Sequence, residues 1–151
     1  MSHDKEARIS CKGKDKYWYG YKKHVCVDMQ SGLINKVAIT PANTTDAKGM
    51  KHVCPEQGAI YADKAYCTKA VRWQRLFAAI KKNNMKNKNK DLNRWITGIR
   101  SPDEHVFSRQ NKRVRYRGVA KNQFAAFMEA TCFNLKRLAV LDPPTFAWFK
   151  G

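Results

Sequence analysis

The pattern of apolar and polar positions changes abruptly after Lys16. Residues 1–16 are polar and basic, carry no apolar periodicity, and are predicted to be poorly ordered. An aromatic run, Tyr17-Trp18-Tyr19-Gly20-Tyr21, follows and continues as KKHVCVDM to Met29. Tyr19, Tyr21, Val25 and Val27 recur at period two, and this aromatic and β-branched content favours a strand. Gln30-Ser31-Gly32 is turn chemistry. Leu33–Thr40 then alternates imperfectly and reads as the return strand of a β-hairpin that Pro41 ends. Asn43-Thr44-Thr45-Asp46 offers caps for a short helix to about His52. Pro55 and Gly58 break the pattern again. Ala59–Ala62 is a short apolar run suited to a buried strand, with Asp63 directly at its end. Thr68–Leu76 is helical in pattern, and Phe77–Ile80 is a further short strand.

Residues 81–90, KKNNMKNKNK, are low-complexity and predict a loop. Asp91–Thr97 starts a helix. Ser101-Pro102-Asp103-Glu104 predicts a second start, with Ser at the N-cap, Pro at N1 and Glu at N3. Lys121–Leu141 is the clearest helix. Phe124, Phe127, Met128, Thr131, Leu135, Leu138 and Ala139 fall on one stripe at i, i+3, i+4 and i+7 spacing, and Pro143-Pro144 ends it. The order strand, strand, helix, strand, helix, strand, loop, helix, helix predicts an α/β protein with a mixed sheet. It divides into a flexible basic segment 1–16, one domain over 17–141, and a tail over 142–151.

Charge narrows the function. The 151 residues contain 30 Lys+Arg against 12 Asp+Glu, a formal charge of +18. Such an excess calls for a polyanionic partner: DNA, RNA or, less readily, an anionic membrane surface. With 43% hydrophobic residues the chain has a core rather than the composition of a disordered tail. No apolar run approaches the roughly 20 residues of a membrane span, and residues 1–16 lack the apolar stretch of a secretory signal. The expected compartment is the cytoplasm. Cys11, Cys26, Cys54, Cys67 and Cys132 form no CxxC pair, and the four His residues are scattered. A zinc site of close-spaced ligands is not expected.

Two acids and one basic run are the candidates for chemistry. Asp63, at the carboxyl end of a buried strand, stands where α/β sheets gather ligands and is a hard oxygen donor for a divalent cation. Its ordinary role, and the one residue physics alone favours, is a turn aspartate that caps the next helix. Glu104 is either a metal ligand or the N3 residue of a capping box, reaching back to the Ser101 N–H. Lys112, Arg113, Arg115 and Arg117 alternate with Val114 and Tyr116. If extended, the three arginines face one way, as phosphate contacts or as a solvated basic face. The rings of Tyr17–Tyr21 pack within the hairpin or stack on unpaired bases, and packing is their ordinary role.

Six motifs occur in order: GYKKHVCVD with SGL, TPANTTD, ADKAY, R-x-x-x-E-H-V-F, RVRYRG-x-x-KN and NLKRL. Together they span about residues 17–138. The series resembles the C-terminal catalytic part of a DDE transposase of the insertion-sequence-five group. That resemblance implies a ribonuclease-H-like mixed sheet flanked by helices. It sets Asp63 in the place of the family's second acid and Glu104 in the place of the third. Arg100 matches the arginine of the family's tyrosine–arginine–glutamate–lysine signature. The tyrosine falls at Thr97 and the lysine at Asn111, beside Lys112, both departures from the pattern. ADKAY has Ala65 where Gly is usual.

The implied chemistry is DNA cleavage and strand transfer with two Mg²⁺ ions about 4 Å apart, held by three carboxylates. Arg100, Lys112, Arg113, Arg115, Arg117 and Lys121 are the implied DNA contacts. The implied partners are the DNA ends of an insertion sequence and a homo-oligomer, with no membrane. Neither Asp4 nor Asp28 matches the family's first Asp. The chain is therefore expected to be truncated at its N-terminus, to lack the first strand, and to have impaired activity alone. The competing class is a non-catalytic basic domain that binds RNA or DNA.

Overall fold

Strand β2 (Lys16–Val27) is the axis of the main sheet. The computed structural model describes residues 3–63, 65, 76–78, 89–108 and 113–141. The N-terminal half of β2 pairs antiparallel with β1 (Arg8–Lys12), and its C-terminal half pairs antiparallel with β3 (Ile34–Pro41). The order is β1-β2-β3. Helix α1 (Asp46–Val53) follows β3. Strands β4 (Ile60–Ala62) and β5 (Leu76–Ala78) form a separate parallel pair. Helices α2 (Asn89–Ser108) and α3 (Val119–Leu141) complete the order. The fold is thus mixed α/β. Of the helix predicted at 68–76, residues 68–75 lie outside the described residues, and Leu76 instead opens β5. Of the loop predicted at 81–90, residues 81–88 lie outside them, and Asn89 and Lys90 instead begin α2. The tail 142–151 lies outside them as well.

Both faces of the β2–β3 hairpin are covered. Val25, Val27 and Ile39 pack with buried Ile34 and Val37 against Val106 of α2 and Ala126, Ala130 and Phe133 of α3. Burying each Val or Ile side chain contributes about 1.5–3 kcal/mol. The imperfect alternation of Leu33–Thr40 has a cause. Val27 pairs with Ile34 but Cys26 pairs with Lys36, so Asn35 is an extra residue in β3. This bulge re-phases the pleat, and Ile34, Val37 and Ile39 all reach the same core. The turn is closed by Asp28, whose carboxylate accepts the Ser31 N–H at 2.8 Å and the Ser31 hydroxyl. Those bonds hold the Asp28 carboxyl below its ordinary pKa.

Helix α1 covers the opposite face. Thr45 caps it, its hydroxyl accepting from the Lys48 N–H. Lys22 ties its first turn down through Asp46 at 3.0 Å and the Thr44 carbonyl at 2.8 Å. His24, only 1% exposed, lies beneath Gly49. Its Nε2 bonds Thr40 Oγ1 at 2.9 Å, while buried Nδ1 has no partner. Desolvation pushes the His24 pKa down, against the pull of Asp46 and with the push of Lys22 and His52. A histidine whose folded pKa lies below its unfolded value stabilises the neutral-pH fold and loses that contribution as pH falls below about 6.5. Thermal stability is therefore expected to fall between pH 7.5 and 5.5. The same scan on His24→Gln should show a much flatter profile.

Three sequence expectations are corrected here. Residues 8–12 form a strand inside the segment read as poorly ordered. Its backbone pairs with β2, which apolar periodicity does not report. Helix α2 runs without a break through Pro102, so no helix begins at Ser101. Pro102 removes the bond that its N–H would give to the carbonyl of residue 98, and that residue is Gly98, with open space around it.

The third correction concerns α3. Its apolar stripe faces outward, with Phe124 66% and Leu135 62% exposed. The side facing the sheet carries Ala126, Ala130 and a single ring, Phe133, together with polar Gln123 and Asn134. The Gln123 side-chain amide bonds the Ile39 N–H and the Val37 carbonyl, at 2.7 and 2.9 Å. Asn134 does the same for the N–H and carbonyl of Ile34, at 2.8 and 2.9 Å. Arg137 Nε donates to the Ser31 carbonyl at 2.9 Å, and Lys23 pairs with Glu129. Edge strand β3 has backbone groups that need partners. The amides supply them, and Ala126 and Ala130 permit the close approach. That requirement outweighs burial of the larger stripe.

Candidate carboxylate site and basic surface

Asp63 follows β4 directly, at the carboxyl end of the parallel β4–β5 pair. Its side chain is 59% exposed, and its Oδ1 lies 3.7 Å from Nη1 of Arg100 on α2. The neighbouring packing supports this approach. Tyr61 of β4 meets Trp95 of α2 edge-on, with ring centroids 5.7 Å apart, and Ile96 is buried. Exposed pairs of this kind contribute about 0–1 kcal/mol, so the ion pair is readily exchanged.

Glu104 lies on α2 one turn beyond Arg100, and positions four apart share a helix face. Its side chain is outside the described residues. The uninterrupted α2 leaves Glu104 with no helix start to cap. Thr97, one turn before Arg100, donates its hydroxyl to the Asn93 carbonyl at 2.7 Å. Among the described residues no three His, Cys, Asp or Glu side chains converge on a point that could hold a metal ion. Asp63 is the described carboxylate at this end of β4, and the described residues by themselves do not make a metal centre.

The basic run is an exposed, irregular segment rather than a strand. Arg113, Arg115 and Arg117 are all exposed, with Val114 and Tyr116 half exposed between them. Lys112 lies outside the described residues. Lys121 is exposed in the first turn of α3. A cation there opposes the helix dipole, and the negative charge comes from the N-terminal segment instead. Glu6 accepts the Val119 N–H, and Asp4 Oδ2 accepts the Gly118 N–H at 3.1 Å. The Tyr21 hydroxyl donates to the same Asp4 oxygen at 2.7 Å and lies 3.0 Å from the Gly118 nitrogen. The Tyr21 hydroxyl is pushed up to about 12, by burial first and by Asp4 second. The Tyr21 bond lowers the Asp4 carboxyl in turn.

Asn122 completes this latch by donating to the Tyr116 and Gly118 carbonyls at 2.8 and 2.7 Å. Gly118 has φ +87°, a conformation that favours glycine. Asp4, Glu6, Tyr21 and Asn122 therefore fix one end of the basic segment. Sequence reasoning misses the roles of Asp4, Glu6 and Tyr21, because their contacts to Gly118 and Val119 span about a hundred residues of chain. It also misses that of Asn122, although its bonds are local. The one available signal is the close spacing of Asp4 and Glu6 at the start of a basic N-terminal stretch.

With this geometry in hand, the sequence matches the family described as Transposase DDE domain over residues 2–135, and the chain belongs to that family. No curated protein and no solved structure matches it. Membership implies a transposase-like role and a DNA partner. No helix among the described residues is long and apolar enough to cross a membrane.

Proposed function

We propose that this chain is a transposase-like DNA-binding protein of the insertion-sequence-five group, with a ribonuclease-H-like catalytic fold. In this reading Asp63 and Glu104 are the second and third acids of the family set and the ligands for Mg²⁺. When bound, the metal activates water or a 3′-hydroxyl for attack on a phosphodiester. Arg113, Arg115 and Arg117, with Arg100, Lys112 and Lys121, contact DNA phosphates.

The observation that carries the reading is the Arg100–Asp63 pair. It sets α2 against the carboxyl end of β4, on the helix face where Glu104 follows one turn later. Arg100 neutralises Asp63 until a cation takes its place, which frees the guanidinium for a phosphate. Within these 151 residues no acid matches the family's first Asp, so little cleavage is assigned to the chain alone. The test is nicking of supercoiled DNA by the whole chain in Mg²⁺ or Mn²⁺. Turnover near background is expected. Robust nicking that disappears in Asp63→Ala would overturn the assigned impairment while supporting the site.

A further inference from the structure

The β1–β2 hairpin projects beyond the core and carries the features of a nucleic-acid contact that the basic run does not include. Its register pairs Ser10 with Trp18 and Lys12 with Lys16. Side chains of antiparallel partners share a face, and alternate residues share it too. Trp18 therefore lies on one face with Lys12, Lys16, Ser10 and Arg8. The opposite face carries Cys11 with Tyr17 and Ile9 with Tyr19. Trp18 is 37% exposed and Tyr17 69%. Tyr19 is already engaged, stacked on His3 at 5.2 Å and donating its hydroxyl to the Asp4 carbonyl.

The hairpin is joined to the basic segment. Val114, between Arg113 and Arg115, reaches Gly20 at the hairpin base, its Cγ2 lying 3.9 Å from the position of a Cβ there. Trp18 is two residues further, about 7 Å along the strand. Of the nearby acids, Asp4 and Glu6 are spent on Gly118 and Val119, and Asp15, in the hairpin turn, is outnumbered by Lys12, Lys14 and Lys16 around it. A polyanion lying along Arg113 and Arg115 thus continues on to Lys16, Lys12 and the Trp18 ring.

A ring set among cations takes an unstacked base, because the faces of paired bases inside a duplex are covered by their neighbours. We propose that the Trp18 face of the β1–β2 hairpin is a stacking site for unpaired bases of bound DNA, with Lys12 and Lys16 holding the flanking phosphates. This rests on the DNA-binding reading above.

The test measures fluorescence anisotropy of the whole chain with a blunt duplex and with the same duplex carrying a single-stranded overhang. Trp18→Ala is expected to lose about tenfold in affinity for the overhang DNA and to change blunt-duplex binding by less than about twofold. Trp18→Phe should retain most of the overhang preference, which separates stacking from a purely structural role. Tyr17→Ala, on the other face, should leave the preference intact. Equal loss on both DNAs in Trp18→Ala, or the same loss in Tyr17→Ala, overturns the proposal. So does a wild-type chain with no overhang preference. Failure of the broader reading looks different: neither DNA binds, or Arg113→Ala/Arg115→Ala/Arg117→Ala binds both as well as wild type.

Discussion

Replacing Arg113, Arg115 and Arg117 together by alanine is expected to weaken duplex DNA binding by on the order of 100-fold at low salt. It should also reduce the slope of log K against log salt by about three, since each phosphate contact contributes about 0.9 to that slope. The effect is large because three full charges leave one segment whose far end is fixed by Asp4, Tyr21 and Asn122. Thermal unfolding should be nearly unchanged, because all three side chains are exposed. A salt titration by anisotropy measures both quantities. An unchanged slope would show that these arginines do not touch phosphate.

Gly49→Ala carries the largest expected cost to the fold. Glycine in the middle of a helix normally costs about 1 kcal/mol relative to alanine, so the substitution should stabilise an open helix. Here a Cβ would overlap Cε1 and Nε2 of His24. The ring is buried and held by Thr40, so it has nowhere to move without losing that bond. Overpacking costs about 1–3 kcal/mol, and a stranded buried donor or acceptor costs about 1–3 more. After the gain in propensity, the net is a destabilisation of about 1–5 kcal/mol by these terms. Urea unfolding measures it. In the double variant His24→Ala/Gly49→Ala, the alanine at 49 should cost far less than it does alone, because the overlap is gone.

The elements that can be read from sequence are those whose signal is local. The β2–β3 hairpin follows from period-two residues around Gln30-Ser31-Gly32. Helix α1 follows from its Thr45 cap, and β4 and β5 from short apolar runs. Asp63 is visible as an acid closing one of those runs. The rest depends on partners distant in sequence. Strand β1 is polar because it pairs through its backbone with an exposed half of β2. Within the aromatic run, Tyr19 and Tyr21 are held by hydrogen bonds to Asp4, while Tyr17 is 69% exposed. The buried side of α3 is marked by Gln123 and Asn134, whose value lies in bonding the edge of β3, and a hydrophobicity pattern assigns them the wrong face. Pro102 reads as a helix start wherever it stands near a serine, while α2 carries it in its interior.

The site shows the same division. The pairing of Arg100 with Asp63 joins residues 37 apart in sequence, and no spacing rule reports it. The continuity of α2 also bears on Glu104. Its capping role requires a helix start at Ser101, and the helix has none there.

The central claim, that Asp63 and Glu104 hold one divalent cation, is tested most directly by iron-directed cleavage of the polypeptide. The whole chain is loaded with Fe²⁺, and hydroxyl radicals generated at the bound ion cut the nearby backbone. Cuts are expected around both residue 63 and residue 104, suppressed together by excess Mg²⁺ and lost together in Asp63→Asn. Cuts confined to one of the two positions, or cuts at both that persist in Asp63→Asn, would contradict the claim.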